Sequence, residues 1–366
     1  MTGNELGYIS EAHSRGKLSG DGHFTKLCSD WLQDSFGTKR ALLTHSCTGA
    51  LEMAAILAGI EPGDEIIMPS YTFVSTANAF VLRGGVPVFV DIKLRDQNID
   101  ESLIEQAITS RTKAIVPVHY GGVACEMDVI MDIADRHGLF VIEDAAQAIF
   151  STYKGRQLGT IGHLGCFSFH ETKNVISGEG GALLVNDRSL IERSEIIREK
   201  GTDRSKFFRG QVDKYTWQDI GSSFLPGEVI AAFLWAQLQE GAKITATRKA
   251  LWSHYHRLFA LEELDSEFTL PTESPDSNAH MYQVLLRSNE NLLEVLKQLA
   301  GLGISAVTHY VALHSSHAGR KYGKSPSPLP RTEQVASTLI RLPLFSELEL
   351  DSIERVCKAL SDAART

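Results

Sequence analysis

Cysteine is scarce in this chain, and what there is lies scattered: Cys28, Cys47, Cys125, Cys166 and Cys357 include no close pair. That spacing excludes a metal knuckle or a redox motif and leaves free thiols, mostly buried. Positive charge is also in deficit. A net charge of -9 argues against nucleic acid as a partner, because binding along a phosphate backbone needs an extended basic face. No apolar run approaches the roughly 20 residues that cross a bilayer. The first twenty residues carry Glu5, Glu11 and several glycines instead of an apolar signal core, so the expected location is the cytoplasm, away from the membrane. No Gly-x-Gly-x-x-Gly follows an early strand, which weakens a nicotinamide-dependent dehydrogenase. Ala318 stands where a P-loop needs its first glycine, and Asn174 where a zincin needs its second histidine, so no metal site is expected.

What is present is an alternation. Short apolar runs that read as strands (Glu65 to Pro69, Val86 to Asp91, Ala114 to His119, Leu139 to Glu143) are separated by stretches with helical spacing, among them a segment through Leu82, Asp100 to Ile108 and Cys125 to His137. Earlier, helices are expected over Phe24 to Phe36 and from Thr44 to Leu57. Strands alternating with helices imply an α/β fold with a mainly parallel central sheet covered on both faces. At 366 residues, 43% of them hydrophobic, the chain is long enough for two domains. A large domain over 1–243 and a smaller C-terminal α/β domain over 244–366 are expected. The latter holds a long helix from Thr245 to Leu264, strands Met281 to Arg287 and Ser305 to Tyr310, and helices Glu290 to Leu302 and Glu349 to Ala363.

Two segments carry chemistry. Gly165 to Gly181 enters as an apolar strand, breaks at His170-Glu171-Thr172-Lys173-Asn174 and leaves through a glycine-rich turn into Ala182 to Val185. A lysine is thereby fixed between two strands, and the glycines allow something flat or bulky to approach the backbone. Upstream, Phe140 to Gln147 is a buried-strand run that ends in Glu143, Asp144 and Gln147, at the carboxyl end of a strand, where ligands collect in open α/β sheets. Ser46-Cys47-Thr48-Gly49 opens a helix, and such an N-terminus is either a plain cap or a phosphate seat. Pyridoxal phosphate needs a lysine, a carboxylate for its pyridine nitrogen and donors for its phosphate, and this chain has a candidate for each. Phe73 fits a core aromatic as well as a ring-stacking one, and His119 fits a structural histidine as well as a pocket-lining one.

Ser46 to Leu51, Pro69 to Ala79, Glu143 to Gln147 and Ser168 to Asn174 resemble the DegT/DnrJ/EryC1/StrS sugar aminotransferases, which aminate nucleotide-linked keto-sugars, and the similarity runs over nearly the whole chain. The resemblance implies a pyridoxal-phosphate-dependent transferase of fold type I, aspartate aminotransferase-like. It implies that Lys173 forms the Schiff base, Asp144 meets the pyridine nitrogen, Phe73 lies on the ring and Gln147 reaches the phenolic oxygen. Thr48, Gly49 and Ser168 would then hold the phosphate, and Ser223 would reach the phosphate of the neighbouring subunit's cofactor. His119, His309, Tyr310 and His314 are the implied substrate contacts. The implied partners are a nucleotide-sugar, L-glutamate and a second copy of the chain, with the active site at the homodimer interface. Tyr153 to Cys166 and Phe207 to Trp217 are most similar to the branch that makes dTDP-4-amino-4,6-dideoxygalactose, the amino sugar of enterobacterial common antigen. Another nucleotide-sugar 3- or 4-aminotransferase, or a non-catalytic regulatory protein that binds the same cofactor, remain alternatives. Lys173 separates the chain from dehydratase variants, which carry histidine there.

Overall fold

A computed structural model of the chain describes residues 1–261, 267–287 and 292–364. It opens with α1 (Glu5–Ser14) and α2 (His23–Phe36), followed by β1 (Arg40–Thr44), α3 (Cys47–Leu57), β2 (Glu65–Pro69), α4 (Val74–Val81) and β3 (Val86–Val90). Next come β4 (Thr112–Ile115), α5 (Met127–His137), β5 (Phe140–Asp144), the short hairpin of β6 (Thr152–Tyr153) and β7 (Arg156–Gln157), and then β8 (Leu164–Ser168) and β9 (Gly181–Val185). Helices α6 (Ile191–Arg198), α7 (Arg204–Phe208), α8 (Glu228–Gln239) and α9 (Gly241–Leu261) lead to β10 (Phe268–Thr269), β11 (Tyr282–Leu286) and α10 (Leu292–Gly301). The chain closes with α11 (His317–Tyr322), α12 (Pro330–Thr338), β12 (Leu339–Leu342) and α13 (Leu350–Ala364).

The central sheet has seven strands in the order β1-β9-β8-β5-β4-β2-β3. From β3 through β8 every pairing is parallel, while β9 runs antiparallel to both β8 and β1. Every residue of β2, β8 and β9 is buried, as expected of strands covered by helices on both faces, and their sequences read as apolar runs without alternation. Two apolar clusters fill the two faces. One joins α2, α5 and α8 to the sheet through Phe24, Leu32, Ile130 and Leu234. The other joins α3 and α4 through Leu51, Met53 and Phe80. A third core, with Tyr255, Phe259, Tyr282, Val295 and Ile353, belongs to the three-stranded sheet β10-β11-β12 and its helices. We keep the division at residue 243 as a proposal resting on that separate core, since α9 is continuous across it.

Three sequence expectations are corrected. Arg40–Thr44 is a strand ahead of α3, so the helix begins at Cys47 and not at Thr44. Asp100 to Ile108 is not an α-helix but two 3-10 turns: Ile104 and Ala107, three residues apart, are both buried, which suits the tighter period. Ser305 to Tyr310 forms no strand beyond one bridge, in which Val307 and Arg341 exchange backbone hydrogen bonds. The strand paired with β11 is β12, antiparallel to it from Leu339 to Leu342. The expected ends of two helices, beyond Leu261 and before Leu292, lie outside the described residues.

Candidate active site

The carboxyl ends of β5 and β8, the N-termini of α3 and α4, and residues 280, 308–310 and 341 surround one cavity of about 500 Å³. Pleating decides which carboxylate faces it. Glu143 and Asp144 are consecutive in β5, so they point to opposite faces of the sheet. Asp144 lines the cavity; its Oδ2 accepts from Thr76 Oγ1 at 2.7 Å and its Oδ1 from the Ala146 N–H at 3.1 Å. Each oxygen retains a lone pair for a further donor. Glu143 is fully buried on the other face, where it accepts from the N–H groups of Gly159, Ile161 and Gly162 at 2.6–2.7 Å.

Lys173 reaches the cavity from the loop between β8 and β9. Burial holds its amine below the ordinary lysine value; nearby Cys47 and Asp144 push the other way, and Arg341 adds to the depression. Thr48 stands in the first turn of α3, its Oγ1 sharing a hydrogen with Ser75 Oγ at 2.8 Å from the first turn of α4. Two helix N-termini with free first-turn N–H groups and paired hydroxyls form a seat for an anion. Phe73, at the cavity wall, leaves its ring 56% exposed, an uncovered aromatic face beside the carboxylate and the lysine. These features fit pyridoxal phosphate: an amine, an acceptor with spare lone pairs, a phosphate seat and an aromatic face open into one space of suitable size. Among the described residues there is no cluster of side chains that would hold a metal ion, and no helix long and apolar enough to cross a membrane.

Gly180 lines the cavity, but Gly181 acts differently from the expectation. A Cβ at Gly181 would lie 2.4 Å from the Ser46 carbonyl carbon and 2.5 Å from the Cys47 nitrogen. What approaches the backbone there is the start of α3, so the glycine seats the helix N-terminus on β9 and does not itself meet a ligand.

Eight of the expected residues line the cavity: Thr48, Phe73, Asp144, Gln147, Ser168, Lys173, His309 and Tyr310. Gln147 bridges two elements, its Oε1 accepting from the Gly121 N–H and its Nε2 donating to Tyr310 Oη, each at 2.7 Å. His309 stacks on Tyr310 with ring centroids 3.6 Å apart, and burial pulls its imidazole down to about 2. Four residues do not line the cavity. Gly49 is set behind Thr48, its N–H already donated to the Ser46 cap at 3.0 Å. His119 has 0% exposure; its Nε2 meets Glu143 at 2.9 Å and its Nδ1 accepts from the Cys125 N–H at 3.2 Å. Pulling it into the cavity would break a hydrogen bond to a buried carboxylate, at a cost of about 1.5–3 kcal/mol. His314 is turned to the end of β2, with Nδ1 at 2.7 Å from Ser70 Oγ. Ser223 lies exposed beside Glu199.

Other groups in the wall were not foreseen. Arg341 projects from β12 and His280 from the segment before β11, joined by Thr308 and Ser75. Two of these have weak sequence signals: a lone arginine inside Leu-Ile-Arg-Leu breaks an apolar run, and the histidine precedes a strand.

The chain matches the model of the DegT/DnrJ/EryC1/StrS aminotransferase family over residues 1–361. It belongs to that family. It is 32% identical over 344 residues to the spore coat polysaccharide biosynthesis protein SpsC of Bacillus subtilis (strain 168), covering 90% of this chain and 86% of that protein. Among solved structures, Helicobacter pylori PseC, an aminotransferase involved in the biosynthesis of pseudoaminic acid, superposes with a TM-score of 0.90 at 28% identity, covering 99% of this chain and 96% of that one. S. venezuelae DesV in complex with a ketimine intermediate gives a TM-score of 0.88 at 31% identity, covering 99% and 95%. The fold is therefore that of the aminotransferases, fold type I, and the protein is a pyridoxal-phosphate-dependent sugar aminotransferase.

Proposed function

We propose that the protein transfers the amino group of L-glutamate to C4 of dTDP-4-dehydro-6-deoxy-D-glucose, giving dTDP-4-amino-4,6-dideoxy-D-galactose and 2-oxoglutarate. The observation that carries the aminotransferase part is the convergence of Lys173, Asp144, Thr48 and Phe73 on one cavity. Bound pyridoxal phosphate supplies an electron sink for the carbanion left when an α-proton departs. Lys173 is the amine that would hold the cofactor and, once released, carry the proton between the substrate's Cα and the cofactor's C4′. Its depressed proton affinity suits that work, because a base must be unprotonated near the working pH. Asp144 accepts the N–H of the pyridine nitrogen and so keeps that nitrogen charged. Thr48, Ser75 and Ser168 receive the phosphate, and Phe73 covers one face of the ring. Gln147, through the second hydrogen of its Nε2, serves the phenolic oxygen.

Arg341 completes the site as the anchor for a carboxylate of glutamate: its guanidinium lines the cavity without a side-chain partner among the described residues. The choice of dTDP-linked sugar rests on the resemblance of 153–166 and 207–217. Neither segment lines this cavity, and the second exposes Phe208, Tyr215 and Trp217 at 65%, 50% and 80%. An exposed aromatic group of this kind suits contact with another protein surface. We place it, with Ser223, at a homodimer interface where each subunit completes the other's substrate site.

The test is a two-stage assay. Glutamate added to the loaded protein should discharge the visible band of the lysine-linked cofactor. A panel of dTDP-, UDP- and GDP-linked keto-sugars should then restore it fastest with the dTDP-4-keto-6-deoxy sugar. Faster restoration by a UDP-linked sugar would overturn the substrate choice and leave the aminotransferase standing.

A further inference from the structure

Asp144 is 5% exposed, and a carboxylate so enclosed depends for its charge on the donors aimed at it. One of those donors has a second group behind it. Thr76 Oγ1 donates to Asp144 Oδ2 at 2.7 Å, and Thr72 Oγ1 lies 2.8 Å from Thr76 Oγ1. The hydrogens can be placed by elimination. A hydroxyl has one hydrogen, and an ionised carboxylate can only accept, so Thr76 gives its hydrogen to Asp144. The Thr76 oxygen then accepts from Thr72, and the three groups form one oriented chain that runs from Thr72 through Thr76 to Asp144.

The local backbone does not call for these hydroxyls. Threonines at the start of a helix ordinarily cap it, yet α4 has Phe73 at its N-cap and no side-chain cap. Thr72 and Thr76 are 2% and 0% exposed, so neither is a solvated surface hydroxyl. The carboxylate they serve stands on another strand: β2, which leads into α4, is separated from β5 and Asp144 by β4. Phe73 and Ser75 at the start of α4 line the cavity, whereas Thr76 is set behind the lining and reaches the site only through Asp144.

Resting on the assignment of Asp144 as the partner of the pyridine nitrogen, we propose that Thr76 is a positioning residue that sets how much negative charge Asp144 presents to that nitrogen, with Thr72 polarising Thr76 from behind. Each donor along such a chain strengthens the next bond and draws charge away from the far carboxylate oxygen. Without the Thr76 hydroxyl, more of that charge faces the ring. The ring nitrogen then withdraws electrons less strongly, and the nitrogen that links the cofactor to Lys173 holds its proton more tightly. The pH midpoint at which the loaded protein changes colour therefore moves up when the chain is cut.

The test is a visible-absorption pH titration of the pyridoxal-phosphate-loaded protein, which reads the site without turnover. Thr76→Val keeps the shape and removes the donor, and its midpoint should rise by about half a pH unit, threefold in proton affinity. Thr76→Ser, which restores the hydroxyl, should return to wild type. Thr72→Val leaves the bond to Asp144 in place and should shift the midpoint in the same direction by less. Combined with Thr76→Val it should add nothing, because its effect passes through Thr76. A cooperative thermal melt of the cofactor-free protein certifies that each variant is folded. An unchanged midpoint in Thr76→Val overturns the proposal, as does an equal rise in Thr76→Ser or additive shifts in the double variant. Asp144→Asn sets the scale: if its midpoint matches wild type, the assignment of Asp144 itself fails, and that outcome is recognisable before any threonine is replaced.

Discussion

The two walls of the cavity are built on different terms. On the large-domain side the polar groups are already engaged by the chain itself: Asp144 with Thr76 and Ala146, Ser46 with Gly49, Thr48 with Ser75. These bonds fix orientation and still leave lone pairs and helix-end N–H groups for one resident. On the facing side, at 280, 308–310 and 341, stand rings and a guanidinium, with the Arg341 guanidinium and the Nε2 of His280 lacking partners among the described residues. A preorganised wall suits a cofactor that stays, and an under-satisfied wall suits substrates that come and go, since each arrival satisfies groups that each departure leaves open again.

That division predicts unequal consequences of substitution. The largest should come from Asp144→Asn, which keeps shape but removes the charge facing the pyridine nitrogen. Turnover should fall by about 10³-fold, the range of one preorganised electrostatic contact, while the visible band persists. Wild-type turnover in single-turnover kinetics would break the comparison at its firmest point. Next, His119→Ala should cost about 1.5–3 kcal/mol in denaturant unfolding, because it takes one of four donors from the buried Glu143, with little change in KM for the sugar. A raised KM at unchanged stability would return His119 to the substrate site. Arg341→Ala should raise KM for glutamate about 10–100-fold, the worth of a charge-assisted bond, with a smaller change in kcat. Equal losses with glutamate and with the keto-sugar would show that the guanidinium does not discriminate between them.

How much of this the sequence revealed follows the same line. Lys173 and Asp144 were legible because strand ends are easy to find: β5 and β8 begin as apolar runs, and the polar residues that end or follow them fall at the sheet's carboxyl edge. β1 was hidden because five residues, Arg-Ala-Leu-Leu-Thr, run into a helix of similar composition, and only pairing with β9 makes them a strand. Arg341 was hidden for a related reason. Its strand exists through long-range pairing with β11, and its position opposite Lys173 is set by how the third core packs against the first two. Of the two readings of His119 the structural one holds and the substrate contact implied by the resemblance does not, because strand parity, fixed by where pairing starts, decides whether a residue sees Glu143 or the cavity.

The smallest predicted effect is on stability against pH. His309, held near 2 when folded, takes up a proton more readily when unfolded. The sign is therefore fixed: stability is full above the unfolded histidine value near 6.5 and declines as pH falls below it, by at most about 1.4 kcal/mol per pH unit for this group. Thermal melts from pH 7 to pH 5 should show that slope flatten in His309→Gln. An identical slope would mean that the ring is solvated and the second wall more open than described.

Reduction of the loaded protein with borohydride, followed by digestion and mass spectrometry, tests the central claim most directly. The predicted result is one pyridoxyl adduct, on the peptide containing Lys173, that disappears when glutamate is added before the borohydride. An adduct on another lysine, or one indifferent to glutamate, would contradict the site assigned here.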